Sequence, residues 1–131
     1  MIEVKIDGAS RGNPGPSGAG IVIKVDGKVK EYSFPLGKMT NHEAEFIAMI
    51  KALEICTIFG YERGLAFQTD SQLVADAVDK NHVKNEIFQP LLEKINQLKK
   101  PFSFCFVKWI PSEQNKHADR LAREAVFSQK Q

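Results

Sequence analysis

Apolar and polar residues alternate at the start of the chain: Ile2, Val4 and Ile6 are interleaved with Glu3, Lys5 and Asp7. A period of two predicts a strand ending at Asp7, where Gly8 and the run Gly12-Asn-Pro-Gly15 introduce a turn. Gly18 to Val25 reads as a second strand. Asp26-Gly27 is a tight hairpin signal leading into a third strand over Lys28 to Leu36, so the first three strands should form an antiparallel meander. The period then changes. Thr40-Asn-His-Glu43 has the spacing of a capping box, and Ala44 to Phe59 reads as a helix stopped by Gly60. Its apolar positions, from Phe46 and Ile47 to Ile55 and Ile58, cover much of the circumference, which predicts burial on more than one side and makes the charged Glu45 unusual. Leu65 to Thr69 returns to strand, followed by a helix over Ser71 to Val78. Ile87, Leu91, Leu92, Ile95 and Leu98 predict another helix over Glu86 to Leu98, with Pro90 acceptable in its first turn. Ser103 to Trp109 is a last strand, and Asn115 should cap a helix with the stripe Ala118, Leu121, Ala122 and Ala125. A meander followed by helix–strand alternation is an α/β pattern: a mixed sheet with helices on its faces.

With 131 residues and 43% apolar content, the chain has material for one domain, residues 1–131, with a substantial core. A net charge of +2 is far from that of a dedicated polyanion binder. The charge is unevenly spread: residues 1–79 carry 8 Lys/Arg against 11 Asp/Glu, and residues 80–131 carry 10 against 5. Cys56 and Cys105 lie in apolar stretches without metal-ligand spacing and read as small core residues of a reducing compartment. No apolar run approaches the roughly 20 residues of a membrane span, and no leader precedes the first strand, so a cytoplasmic protein is expected.

Four acids occupy positions suited to chemistry. Asp7 and Asp70 both follow predicted strands, and strand ends are where open α/β sheets bind ligands. Glu45 interrupts an apolar helix, and Asp119 opens the last one. Each has a local alternative: an Asx turn for Asp7, a helix N-cap for Asp70, a dipole-favoured first-turn acid for Glu45, and an i,i+4 pair with Arg123 for Asp119. Together they form a set of hard oxygen donors without Cys or patterned His, suited to Mg²⁺ or Mn²⁺ rather than zinc. Two such ions about 4 Å apart would activate water on one side of a phosphorus atom and stabilise the leaving oxygen on the other.

In order along the chain, Asp7-Gly with Gly12-Asn-Pro-Gly15, Thr40-Asn41 with Glu45, Thr69-Asp-Ser-Gln72, and Asn115 with Ala118-Asp119 resemble the motifs of type 1 ribonuclease H, from Ile2 to about Val126. That resemblance implies a ribonuclease H-like fold: a five-stranded mixed sheet, the antiparallel meander of three strands plus two parallel strands, with helices on both faces. It also implies cleavage of the RNA strand of an RNA–DNA hybrid, leaving 5′-phosphate and 3′-hydroxyl ends. Asp7, Glu45, Asp70 and Asp119 match the four metal-site acids, with two Mg²⁺ or Mn²⁺ ions per site. Asn13, Thr40, Asn41 and Gln72 match positions that contact the hybrid, and a monomer is expected. Three departures stand out. The segment Trp109-Ile-Pro-Ser-Glu-Gln114 lacks the loop histidine of well-studied members, with Glu113 as a substitute and His117 expected to face solvent. Only Asp79 to Asn85 separates the middle helices, in place of a basic protrusion. No hybrid-binding domain precedes Met1. Weak affinity and slow turnover should follow, and a non-catalytic or very weakly active nucleic-acid-binding protein on the same fold is the alternative.

Overall fold

The computed structural model describes residues 1–129. The N-terminal alternation forms β1 (Ile2–Ser10), which pairs antiparallel with β2 (Gly15–Val25); β2 in turn pairs antiparallel with β3 (Lys28–Met39). The β2–β3 turn places both Asp26 and Gly27 at positive φ, 52° and 74°, as the short hairpin requires. β4 (Leu65–Thr69) lies parallel to β1, and β5 (Cys105–Trp109) parallel to β4. The sheet is five-stranded and mixed, in the order β3-β2-β1-β4-β5.

Even-numbered positions of β1 face the main core, where Ile2, Val4 and Ile6 meet Phe46, Met49 and Leu53 of α1 (Asn41–Cys56). α2 (Gln72–Lys80) and α3 (Gln89–Lys99) cover the same face through Val74, Ala77, Val78, Leu92 and Ile95. α4 (Lys116–Phe127) lies on the opposite face, packing Ala118 and Leu121 on Val22. α1 starts where the sequence predicts: Thr40 accepts from the Glu43 backbone N–H and the Glu43 carboxylate accepts from the Thr40 N–H, a complete capping box.

Boundaries differ from the expected ones for local reasons. α1 ends at Cys56, and a 3₁₀ turn over Thr57–Phe59 carries the chain to Gly60, whose φ of 94° suits glycine. Ile58 therefore leaves the helix and is 70% exposed. α3 starts at Gln89 after a separate 3₁₀ turn, with Pro90 in its first turn, where a missing N–H is harmless. Asn115 occupies the N-cap position of α4 but makes no side-chain cap there; its amide is used elsewhere.

Two glycines determine how closely the helices approach the sheet. A Cβ on Gly8 would lie 2.3 Å from the Ala44 carbonyl carbon of α1, and one on Gly20 would lie 2.0 Å from the Ala118 oxygen of α4. Backbone cannot yield as a side-chain tip can, so Gly20→Ala is expected to cost about 3 kcal/mol or more in urea denaturation. Gly27→Ala, with nothing near its Cβ, should cost only about 1–2 kcal/mol from its φ. Equal costs at the two positions would show that α4 has room to move.

Candidate active site

Asp7 lies inside its strand. Across β2 it faces Gly20, while on the other side Ile6 already pairs with Thr69, the last residue of β4. The expectation that β1 ends at Asp7 is therefore corrected: β1 continues to Ser10 because its antiparallel partner continues, and only the parallel neighbour stops. Asp70, directly after Thr69, falls beside Asp7. It is not the cap of α2; Ser71 holds that position and accepts from the Val74 N–H at 3.2 Å.

The glycine contacts bring in the other two acids. The α1 backbone touching Gly8 is that of Ala44 and Glu45, and the α4 backbone touching Gly20 is that of Ala118, which precedes Asp119. Asn115 fastens α4 to the centre of the sheet. Its Nδ2 donates to the Ile6 carbonyl at 2.9 Å, and the residue is wholly buried. All four acids line one open cleft of about 500 Å³.

Burial pushes the Asp7 carboxyl up to about 9, and the neighbouring charges and hydrogen bonds of Asp70 and Asp119 add to the rise. Glu45 is also raised, by burial first; His42, whose Nδ1 lies 2.8 Å from Glu45 Oε1, and Ser71 oppose that shift, and Asp70 adds to it. Asp119 pairs with Arg123 at 3.1 Å, so the i,i+4 partner expected from spacing is present and lines the same cleft.

The four positions matched to substrate contact divide into two groups. Asn41 lines the cleft, and Asn13, outside its lining, is tied to it: Asn13 Oδ1 accepts from the Asn41 N–H at 3.1 Å. Thr40 is engaged with Glu43 in the capping box, and Gln72 donates to Asp76 at 2.9 Å on the exposed face of α2; neither lines the cleft.

A family model described as reverse transcriptase-like matches residues 5–125. The Enterococcus faecalis protein EbsB is 40% identical over 127 residues, spanning 96% of this chain and 94% of that protein. A ribonuclease H of Mesorhizobium japonicum is 32% identical, over 96% of this chain and 78% of its own length. The chain belongs to the ribonuclease H-like family. Among solved structures, the ribonuclease H1 of Halobacterium salinarum superposes with a TM-score of 0.90 at 33% identity, covering 98% of both chains. LC11-RNase H1, solved in complex with an RNA/DNA hybrid, gives 0.90 at 32% identity, again over 98% of both chains.

Within this family frame the donor set fits a hard divalent cation. Its members are carboxylates gathered against one another, with Asp7 the most strongly held in its neutral form, by burial first and then by Asp70 and Asp119. Among the described residues no three acids close into a cage.

The segment before Asp119 also differs from the expectations. Glu113 accepts from Ser112 on an exposed 3₁₀ turn and does not line the cleft, so it does not replace a loop histidine. His117 pairs with Glu31 on β3, away from the acids. The histidine at this site is His42, which the sequence reading passed over; its position three residues before Glu45 on one helix was the available signal. Arg11, Arg123 and Phe127 were likewise not singled out as cleft residues, and nothing local to them marks them as such.

A carboxyl whose folded value is raised favours the fold while protonated and loses that contribution as pH climbs from the unfolded value, near 4, through the folded one. Asp7→Asn should therefore raise the Tm of the metal-free protein at pH 7.5 by roughly 3–8 °C, with the gain shrinking toward pH 4. Mg²⁺ should raise the Tm of the parent chain and have little effect on the variant. A lower Tm for Asp7→Asn at pH 7.5 would show that the carboxylate is stabilised by its surroundings.

Proposed function

We propose that this chain is an endonuclease that cleaves the RNA strand of RNA–DNA hybrids, with Mg²⁺ or Mn²⁺ held by Asp7, Glu45, Asp70 and Asp119. The carrying observation is the convergence of these four carboxylates on one open cleft, in a chain 32% identical throughout to a ribonuclease H1 solved with a hybrid bound.

Each part of the cleft has a role in this reading. Asp7 and Asp70, at the centre of the sheet and the end of β4, form the floor over which the scissile phosphate lies. Glu45 and Asp119 approach from opposite faces of the sheet and complete the donor set on either side. Two bound ions would supply an activated water and stabilisation of the leaving 3′-oxygen, giving 5′-phosphate and 3′-hydroxyl products. Asn13 and Asn41, fastened together, present amide groups to the minor groove, where the RNA 2′-hydroxyl distinguishes the two strands. His42 holds Glu45 by a 2.8 Å contact and keeps that carboxylate turned toward the cleft.

The decisive variant is Asp70→Asn, which retains shape and removes a charge. Cleavage of a labelled RNA–DNA hybrid should fall by at least about 1,000-fold in both Mg²⁺ and Mn²⁺, with the circular dichroism spectrum and thermal transition preserved. Substantial activity in the purified variant would refute the assignment. A parent chain that binds hybrid but never cleaves it would instead establish the non-catalytic reading.

A further inference from the structure

Besides the acids, the lining of the cleft has a different chemistry that the proposed reaction does not use. Arg11, in the turn after β1, places its guanidinium 5.8 Å from the centroid of the Phe127 ring at the end of α4. Both residues line the cleft with the four carboxylates, and Phe127, 69% exposed, is one of several large apolar side chains that the fold leaves at its surface. Arg11 has no carboxylate partner among the described residues, whereas Arg63, Arg120 and Arg123 each have one. It is an unneutralised arginine beside a concentration of negative charge.

We infer that Arg11 and Phe127 form a phosphate clamp for the strand being cut, with Arg11 contacting a phosphodiester that flanks the scissile one and Phe127 acting as the positioning residue that holds the guanidinium over the cleft. This rests on the hydrolytic reading of the same site and adds to it a source of substrate affinity. A polyanion laid across four carboxylates needs compensating positive charge besides the metals, and among the described residues the cleft lining provides it from two arginines. Arg123 is paired with Asp119, which leaves Arg11 to face the strand. Guanidinium suits the task because its planar donors match phosphate oxygens and its flat face stacks on an aromatic ring. Arg11 and Phe127 come from opposite ends of the sequence and meet because α4 crosses the sheet on the face that Gly20 leaves open. The clamp lies next to Asn13 in the same turn, so one short loop would present both an amide and a cation to the nucleic acid.

The test measures equilibrium binding of a fluorescent RNA–DNA hybrid to the full chain carrying Asp70→Asn, across a salt series, alongside steady-state cleavage by the corresponding chains with Asp70 intact. Arg11→Ala should weaken binding roughly five-fold and flatten the slope of log affinity against log salt by about 1. Lys28→Ala, at the far β2–β3 turn, should change neither. Arg11→Lys should keep the slope while losing part of the affinity. In cleavage, KM should rise and kcat stay within about two-fold. Phe127→Ala should weaken binding in the presence of Arg11 and have little effect in the Arg11→Ala background, since the two act as one unit. Unchanged affinity and slope in Arg11→Ala would overturn the clamp. Equal Phe127→Ala effects in both backgrounds would overturn the positioning role. Absence of cleavage in every chain, with the binding pattern intact, would refute the hydrolytic reading and leave the clamp standing.

Discussion

The close approach of two helices to one point of the sheet is the constraint on which this molecule depends. Gly8 and Gly20 lie on β1 and β2 around Asp7 and face opposite sides; α1 rests its backbone on the first and α4 on the second. The atoms in contact belong to Ala44–Glu45 and to Ala118, so α1 and α4 each approach the sheet closely at the residues next to the two helical acids. A methyl group at either glycine would push the neighbouring helical carboxylate outward by the same displacement that relieves the clash. Packing and chemistry are thus specified by the same contacts, and the buried bond from Asn115 to the Ile6 carbonyl adds a polar tie where α4 begins.

That arrangement works against stability. Carboxylates gathered at one place repel, and burial penalises the charge on Asp7 most. The rest of the fold offsets this with an apolar core shared by all five strands and α1 to α3, with a complete capping box at the head of α1, worth about 1 kcal/mol, and with a glycine-cleared seat for α4. The site is the region where the sequence departs from what folding alone would select, as local departures at functional sites do. His42 and Arg123 moderate the charge on Glu45 and Asp119 from the rim, leaving Asp7 and Asp70 at the floor without a nearby cation among the described residues.

Much of the fold was legible from pattern alone. The period of two in β1, the Asp26-Gly27 turn, the capping box at Thr40 and the Pro90 start of α3 each reflect a local rule that the structure follows. The misplacements have equally local reasons. β1 was cut short at Asp7 because a glycine after an acid reads as a turn, whereas Gly8 is there for helix contact. The position of Asn115 predicts a capping side chain, while its amide is directed across the molecule to Ile6. Thr40 and Gln72 illustrate the reverse: polar residues matched to substrate contact that the chain occupies with Glu43 and Asp76.

Residue chemistry and near-neighbour spacing decide strand and helix periods, caps, turns and the supply of hard oxygen donors, since each is set by interactions within a few positions of the chain. The same information named the four acids because each stands out against its own element. Only the tertiary structure decided that Asp7 lies inside a strand beside the end of β4, that His42 and not Glu113 attends the carboxylates, and that Arg11 meets Phe127 in the lining of the cleft. Those outcomes depend on strand order and on how closely two helices can approach two glycines, quantities that arise from packing between residues far apart in sequence.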